Sequence, residues 1–219
     1  MSHSVLVKFV GGLVCLSVFS GCAFVDQDLE LKYQAAGYVS GADGTVVLGE
    51  PQAPELMAKE DKLIIGTVKN TYGMKTADAV TDDSIPDWIA GAMASELEAA
   101  GFTVQRSDVA SPQGQQVVVT RIIKVWVEQD PGFWTVGAIT DLQLRIMLLR
   151  AGQTIKEFDV DSRGQGDRGL FGDDDVKEKS LRAALGVCLQ KATPIIAETF
   201  SSKPVTIKPL PAADNKDKS

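Results

Sequence analysis

The chain has 219 residues, of which 44% are apolar and 23% charged, a composition typical of one globular domain with tails. It carries 22 Lys and Arg against 29 Asp and Glu, so its formal net charge is −7. Because a nucleic-acid-binding surface needs cations to meet phosphates, this balance argues against nucleic acid as a partner.

The N-terminal residues have the pattern of a secretory signal. Residues 1–8 carry one cation, Lys8, residues 9–19 are apolar, and the small residues Ser20 and Gly21 follow. The apolar segment is shorter than the ~20 residues that a membrane span needs. We therefore predict that residues 1–21 are a signal peptide, cleaved between Gly21 and Cys22.

The exit site, Phe19-Ser20-Gly21-Cys22, resembles the bacterial lipobox, whose cysteine thiol accepts a diacylglyceryl group. The resemblance implies a mature chain that starts at a lipidated Cys22 and continues into a tether over residues 22–28. It implies two or three acyl chains, which anchor a protein stably in a membrane, whereas a single acyl chain binds the membrane only weakly. Because Ala23 rather than an aspartate follows the cysteine, we expect the outer membrane of a Gram-negative bacterium, with the domain facing the periplasm.

Removal of the signal leaves few groups for catalysis. His3, the sole histidine, and Cys15 depart with it, and acylation of Cys22 leaves Cys188 as the one free thiol. This excludes Ser-His-Asp and Cys-His catalysis, a His-ligated metal site and an intramolecular disulfide. Cys188 lies on a predicted apolar helix face, where a buried, unreactive thiol is expected. We predict no metal site and no cofactor.

Residues 29–200 are predicted to form a single α+β periplasmic domain. Alternation of Leu29, Leu31 and Tyr33 with polar residues predicts a first strand, and residues 62–69 a second. Residues 70–83 are expected to be a polar loop. Ser84 then caps a helix that ends at Gly101, and a short strand follows from residue 102.

The second half predicts an antiparallel meander of long strands over residues 116–129, 134–150 and 154–163. In its first strand, simple alternation would place Val117, Val125 and Val127 on one face and Val118 and Ile122 on the other. A final amphipathic helix follows, which Pro194 is expected to kink or end. The fold class is thus α+β, an antiparallel sheet with two helices packed on one face. Residues 201–219, rich in proline and charge, are predicted to be a disordered tail.

Aromatic side chains mark the candidate contact site. Phe133 and Trp134 follow the turn residues Pro131-Gly132, and Trp126 lies nearby on the preceding strand. Tryptophan is enriched at protein interfaces and membrane boundaries. Two interpretations stay open: the pair contacts a partner or lipid, or it belongs to the domain's own core.

Other candidate sites have simpler explanations. A solvated sheet face accounts for Glu128 and Asp141. The glycine-rich segment 164–169 lacks the Gly-Lys-Ser/Thr ending of a phosphate-binding loop, and Asp173–Asp175 suit the start of a helix.

The lipobox, the strand-helix-strand block from Leu63 to Val104, the Val117–Gly164 meander and the Ala-rich last helix together resemble the YajG-type bacterial lipoproteins over roughly Leu29–Phe200. This resemblance implies an envelope lipoprotein without assigned catalytic residues. Cys22 is therefore the only residue of this chain to which the family assigns a role. The auxiliary lipoproteins of ABC-type lipid transporters share the same anchored α+β plan.

We therefore predict a non-catalytic binding or envelope-assembly module, and not an enzyme. The predicted partners are the membrane, through the lipid anchor, and a protein of the envelope. The alternatives are an auxiliary subunit of an ABC-type lipid transporter and a carboxylate-based hydrolase. The oligomeric state is left open.

Overall fold

The computed structural model describes residues 25–53, 56–109, 112, 115–165, 168–170 and 175–208. The predicted signal peptide, Cys22 and residues 209–219 of the predicted tail lie outside the described residues. The strands are β1 (Gln27–Asp28), β2 (Val39–Ser40), β3 (Thr45–Leu48), β4 (Ala58–Lys59), β5 (Lys62–Lys69), β6 (Lys75–Thr81), β7 (Thr103–Arg106), β8 (Gln116–Pro131), β9 (Thr135–Arg150), β10 (Gln153–Gln165), β11 (Gly169–Leu170) and β12 (Thr206–Ile207). The helices are α1 (Ile85–Ala100) and α2 (Val176–Phe200).

The sheet is built around β8. Along one edge β8 pairs antiparallel with β9, which pairs antiparallel with β10, so the predicted meander is confirmed. The other edge of β8 divides between two parallel partners: β3 beside its start and β5 beside its end. Strand β5 continues through β6 to β1, whereas β3 continues to β7. The predicted α+β class is confirmed.

Both helices pack on one face of this sheet. From α1, Met93 contacts the Thr120 hydroxyl on β8, with the sulfur 3.7 Å from the oxygen. From α2, the Ser180 hydroxyl lies 2.8 Å from that of Thr140 on β9. The largest fully buried side chains lie between these layers: Ile65, Ile85, Ile89, Leu97, Ile122, Leu142, Leu144, Ile146, Leu148, Leu181, Leu185 and Leu189.

The helix boundaries follow the predicted signals. The Ser84 side chain accepts a hydrogen bond from the Asp87 backbone N–H at 3.2 Å, and Gly101 ends α1 with a φ of 116°. Such a positive φ favours glycine because a Cβ would be strained there. Helix α2 continues through Pro194 to Phe200, so the proline does not end it.

Two strand predictions were wrong. The predicted polar loop 70–83 contains β6, which pairs with β5 and buries Ala79, Val80 and Thr81. Four of its seven residues are polar, so its own sequence is a weak strand signal and its pairing with neighbouring strands decides its structure. The segment 29–33 forms no strand, although Leu29 is buried and Glu30 exposed, because the strand pairing ends at Asp28.

A β-bulge overturns the predicted faces of β8. Ile122 pairs with Leu144 and Lys124 with Gln143, so Ile123 has no partner across the ladder. The extra residue reverses the alternation. Val118 and Ile122 before the bulge therefore share the core with Val125 and Val127 after it. Simple alternation had placed these two pairs on opposite faces.

Both predicted domain boundaries shift outward. Strand β1 lies within the predicted tether 22–28 and pairs with β6. At the other end, β12 lies within the predicted disordered tail and pairs with β2. The Ser202 backbone N–H and hydroxyl donate to the Asp43 carboxylate at 2.9 Å each, which fixes the start of this segment.

Candidate functional site

The turn between β8 and β9 carries the predicted aromatic pair into solvent. Phe133 is 83% exposed and Trp134 72% exposed. Their rings contact each other edge to face, with centroids 4.9 Å apart and planes at 85°. The core interpretation of the pair is therefore wrong, whereas Trp126, on the adjoining strand, is half-buried. We call Phe133 and Trp134 the aromatic tip.

The base of this turn is tightly held. The Gly132 backbone N–H donates to the Thr135 carbonyl at 2.7 Å. Arg168 donates from Nη1 to the Asp130 carboxylate at 2.6 Å and from Nε to the Thr135 hydroxyl at 3.3 Å. A Cβ on Gly132 would lie 2.7 Å from the Thr135 hydroxyl and 2.8 Å from an Arg168 guanidinium nitrogen, so a larger residue would displace these side chains. These contacts hold the backbone that carries the aromatic tip.

The carboxylates considered as catalytic candidates lie on the face of the sheet opposite the helices. Glu128 accepts from the Lys69 ammonium at 2.9 Å and from the Trp126 indole N–H at 3.3 Å. The hydrogen bond from Lys69 holds the pKa of Glu128 below its usual range. A general acid at neutral pH requires the opposite shift. Asp141 accepts from Lys124 at 2.8 Å.

Cys188 lies on the buried face of α2 and is fully buried, as predicted. Its sulfur lies 3.8 Å from the Leu142 carbonyl oxygen, and burial raises the pKa of the thiol to about 12. A neutral thiol is a poor nucleophile and metal ligand. Within the described part of the chain, no group of three or more His, Cys, Asp and Glu side chains could hold a metal ion.

The glycine-rich segment is partly described. Gly164 and Gln165 end β10, and Gly169 begins β11. Asp175 precedes α2 and pairs with Lys179 at 2.7 Å. Residues 166–167 and Asp173–Asp174 lie outside the described residues.

A buried carboxylate that the sequence analysis missed organises the segment before β2. Glu96 on α1 is fully buried and accepts from the Tyr33 hydroxyl at 2.7 Å and from the backbone N–H groups of Ala36 and Gly37 at 2.6 and 3.0 Å. Burial and the hydrogen bond to Glu96 raise the pKa of Tyr33. The available signal was an acid within the apolar stripe of a helix, between Met93 and Leu97. Its acceptor sites are filled by the chain itself.

Two cavities that described residues line open on the surface. One, of about 300 Å³, lies between Tyr33, Tyr38 and α2. The other, of about 540 Å³, is lined by Glu50, Asp108 and the ion pair of Arg106 with Asp87, whose nitrogen and oxygen are 2.8 Å apart. No helix among the described residues is long and apolar enough to cross a membrane.

Comparison with known proteins identifies the fold alone. No family model matches the chain, and no curated protein is similar in sequence. Protein XCC0632 from Xanthomonas campestris, of the DUF330 family, is 12% identical, with a TM-score of 0.52 over 80% of this chain and 94% of that one. A neuraminyllactose-binding hemagglutinin homolog from Helicobacter pylori is 16% identical over 80% of this chain and 95% of that one, with a TM-score of 0.36.

The first likeness defines the class: an α+β domain with the fold of a bacterial DUF330 protein. The second is too distant in structure to support an argument. Neither description names a YajG-type protein, so that finer resemblance stays a proposal.

Proposed function

We propose that this protein is a lipoprotein of the Gram-negative outer membrane, of the YajG type. In this proposal it acts in the periplasm as a non-catalytic binding or envelope-assembly module. The aromatic tip is its contact surface, and Cys22 is its lipidated anchor.

The exposure of the aromatic tip is the observation that carries this proposal. Phe and Trp side chains each bury 150–250 Å² when they pack, at ~25 cal/mol per Å² of apolar area. Two such side chains exposed to water are unfavourable in free energy unless a partner covers them. Binding energy at interfaces concentrates in such aromatic anchors.

The rigid base of the turn supports the same role. The contacts of Arg168 with Asp130 and Thr135 order the backbone of the unbound domain. Less conformational entropy is then lost on binding.

Two features of the chain support a non-catalytic role. The predicted mature chain contains no histidine. The two central carboxylates, Glu128 and Asp141, each pair with a lysine on the open face of the sheet.

The anchor is tested by mass spectrometry of the mature N-terminus and by membrane fractionation. Acylated Cys22 in the outer-membrane fraction is the expected result. An unmodified Cys22, or an intact domain in the soluble periplasm, contradicts the anchored role.

The binding role is tested with the double variant Phe133→Ser/Trp134→Ser. Both side chains are exposed, so the thermal stability should stay unchanged while membrane contact or co-purification with an envelope partner is lost. Ile155→Ser is the matched control: Ile155 is 44% exposed and lies at the opposite end of the meander. If the double variant keeps every contact of the wild type, the tip is not the contact surface. Co-purification with transporter subunits would instead favour the auxiliary-subunit alternative.

A further inference from the structure

We propose that the end of the sheet bearing the aromatic tip docks on the bilayer that holds the Cys22 acyl chains. The tip would enter the headgroup region of that same leaflet. This inference rests on the proposed lipid anchor and identifies what covers the tip.

The strand registers bring a second turn to the same end as the aromatic tip. Strand β5 runs parallel to β8, with Gly66 beside Val127 and Thr67 beside Glu128. The β5–β6 turn therefore lies level with the β8–β9 turn. It is also ordered, since the Asn70 side chain accepts from the backbone N–H groups of Tyr72 and Met74 at 3.0 Å each.

The N-terminal segment leaves the sheet at this end too. Strand β1 runs parallel to β6, with Gln27 beside Ala79, so the chain before Gln27 points toward the two turns. Lys177 confirms the proximity: its ammonium donates to the side-chain oxygens of both Gln27 and Gln129, the latter at 2.9 Å. Residue 129 is two positions before the end of β8.

Exposed apolar side chains collect at this end. Tyr72 is 85% exposed, and Val25 and Met74 are 66% and 59% exposed. Together with the aromatic tip, these residues form the membrane-facing end. Among the exposed large apolar side chains of the described residues, all three aromatics belong to it. Aromatic residues, and tryptophan and tyrosine above all, are the side chains that settle at the membrane–water interface.

The length of chain beyond the described residues keeps this end close to the anchor. Cys22 lies three positions before Val25, and an extended chain spans at most ~3.6 Å per residue, hence about 11 Å. By continuation of the registers, Val25 lies level with Gln129, four residues before Phe133. Four strand residues rise ~13 Å. An extended chain thus brings Cys22 to within a few Å of the level of Phe133, so that acyl chains on Cys22 and the aromatic tip can enter one flat surface together.

The charges at this end are neutralised in pairs, although the whole chain is acidic. Paired carboxylates are not strongly repelled by anionic headgroups, so the net charge of the chain does not prevent approach. Four carboxylates here each have a cationic partner, at 2.6 to 2.9 Å: Asp26 with Lys59, Asp78 with Lys75, Glu128 with Lys69, and Asp130 with Arg168.

The experiment uses the acylated protein reconstituted into vesicles of phosphatidylethanolamine and phosphatidylglycerol that contain a brominated phospholipid. Bromine quenches tryptophan only at bilayer depth. We expect the emission of Trp134 to be quenched. This quenching should be absent in Trp134→Phe, which keeps an aromatic side chain at the tip. In that background, Ile155→Trp places a tryptophan at the opposite end of the sheet and should stay unquenched.

A second arm removes the anchor, with the mature chain carrying Cys22→Ser and the same vesicles. Its partition into vesicles should fall by roughly tenfold or more in Phe133→Ser/Trp134→Ser, through the lost apolar contact. The Tm of the Cys22→Ser chain with and without the tip substitutions should be the same, which excludes misfolding as the cause of the lost partition.

The failures are distinguishable. If Cys22 is not acylated, the proposed function fails. If Cys22 is acylated and Trp134 stays unquenched in the vesicles, the docking inference is wrong and the anchor stands. If the tip variant instead loses a co-purifying envelope protein without any change in vesicle partition, the occupant is a protein and the inference is overturned.

Discussion

Replacement of Glu96 by alanine should strongly destabilise the domain. The fully buried carboxylate accepts three short hydrogen bonds, from the Tyr33 hydroxyl and from the backbone of Ala36 and Gly37. Hydrogen bonds to charged groups contribute about 1.5–3 kcal/mol each, and the cost of desolvating the carboxylate offsets part of the sum. The balance for Glu96→Ala is a loss of about 3–5 kcal/mol, because the Tyr33 hydroxyl and the two backbone N–H groups lose their acceptor, at about 1–3 kcal/mol for each donor that stays buried.

The loss should be visible in thermal unfolding. For a domain of this size, 1 kcal/mol corresponds to roughly 2–4 °C in Tm, so a decrease of about 6–20 °C is expected. Glu96→Gln keeps the side-chain volume and one acceptor oxygen, so it should lose less, about 1–3 kcal/mol. The matched control is Glu98→Ala, an exposed acid on the same helix, for which a change within about 0.5 kcal/mol is expected.

Amide hydrogen exchange locates the effect. Ala36 and Gly37 should exchange faster in Glu96→Ala, while the core of β9 stays protected until global unfolding. If Glu96→Ala is as stable as Glu98→Ala, the buried carboxylate does not hold this segment and the reasoning is refuted.

Three further outcomes are expected. Gly66→Ala should lower the free energy of unfolding in chemical denaturation by about 3 kcal/mol or more, because its Cβ would lie 2.0 Å from a backbone oxygen of β8. Gly91→Ala has open space around it in α1 and should raise that free energy by ~0.5–1 kcal/mol. Equal effects of the two substitutions would contradict the packing described. Hydrogen bonds from Ser202 lower the pKa of Asp43 to about 2, so this attachment is intact above pH ~4 and is lost as the pH falls toward 2. Proteolytic release of β12 should rise over that range, and in Asp43→Asn it should be high at neutral pH; a rate independent of both would refute the attachment. Cys188 should react with a thiol reagent at pH 8 only after denaturation, and rapid labelling of the native protein would show that the thiol is accessible.

Elements with strong local signals were predictable from the sequence. The N-cap Ser84 and the stop at Gly101 bound α1 because they satisfy the helix ends through neighbours in the chain. The alternation of Leu142, Leu144 and Ile146 with polar residues set the buried face of β9, since strand period is a property of the backbone itself. The turn at Pro131-Gly132 was predictable because proline and glycine favour turns through their own backbone conformations. The lipobox at Cys22 is also a local pattern, but it stays a prediction because residue 22 lies outside the described residues.

Tertiary structure decided the features that depend on distant partners. Strand β6 exists because β5 offers it a ladder, although its own residues are mostly polar. The bulge at Ile123 depends on the register of the pairing with β9, and no residue type in β8 predicts it. Glu96 is stabilised in the core by donors about 60 positions away in sequence.

The candidate site shows the same division. Sequence located Phe133 and Trp134 at a turn but left open whether the core or a partner covers them, since exposure depends on the packing of the whole domain. The approach of Val25 and Tyr72 to that turn follows from two parallel pairings, β5 with β8 and β1 with β6. Parallel strands need long connections, so the residues they bring together are far apart along the chain. Only the assembled sheet places them at one end.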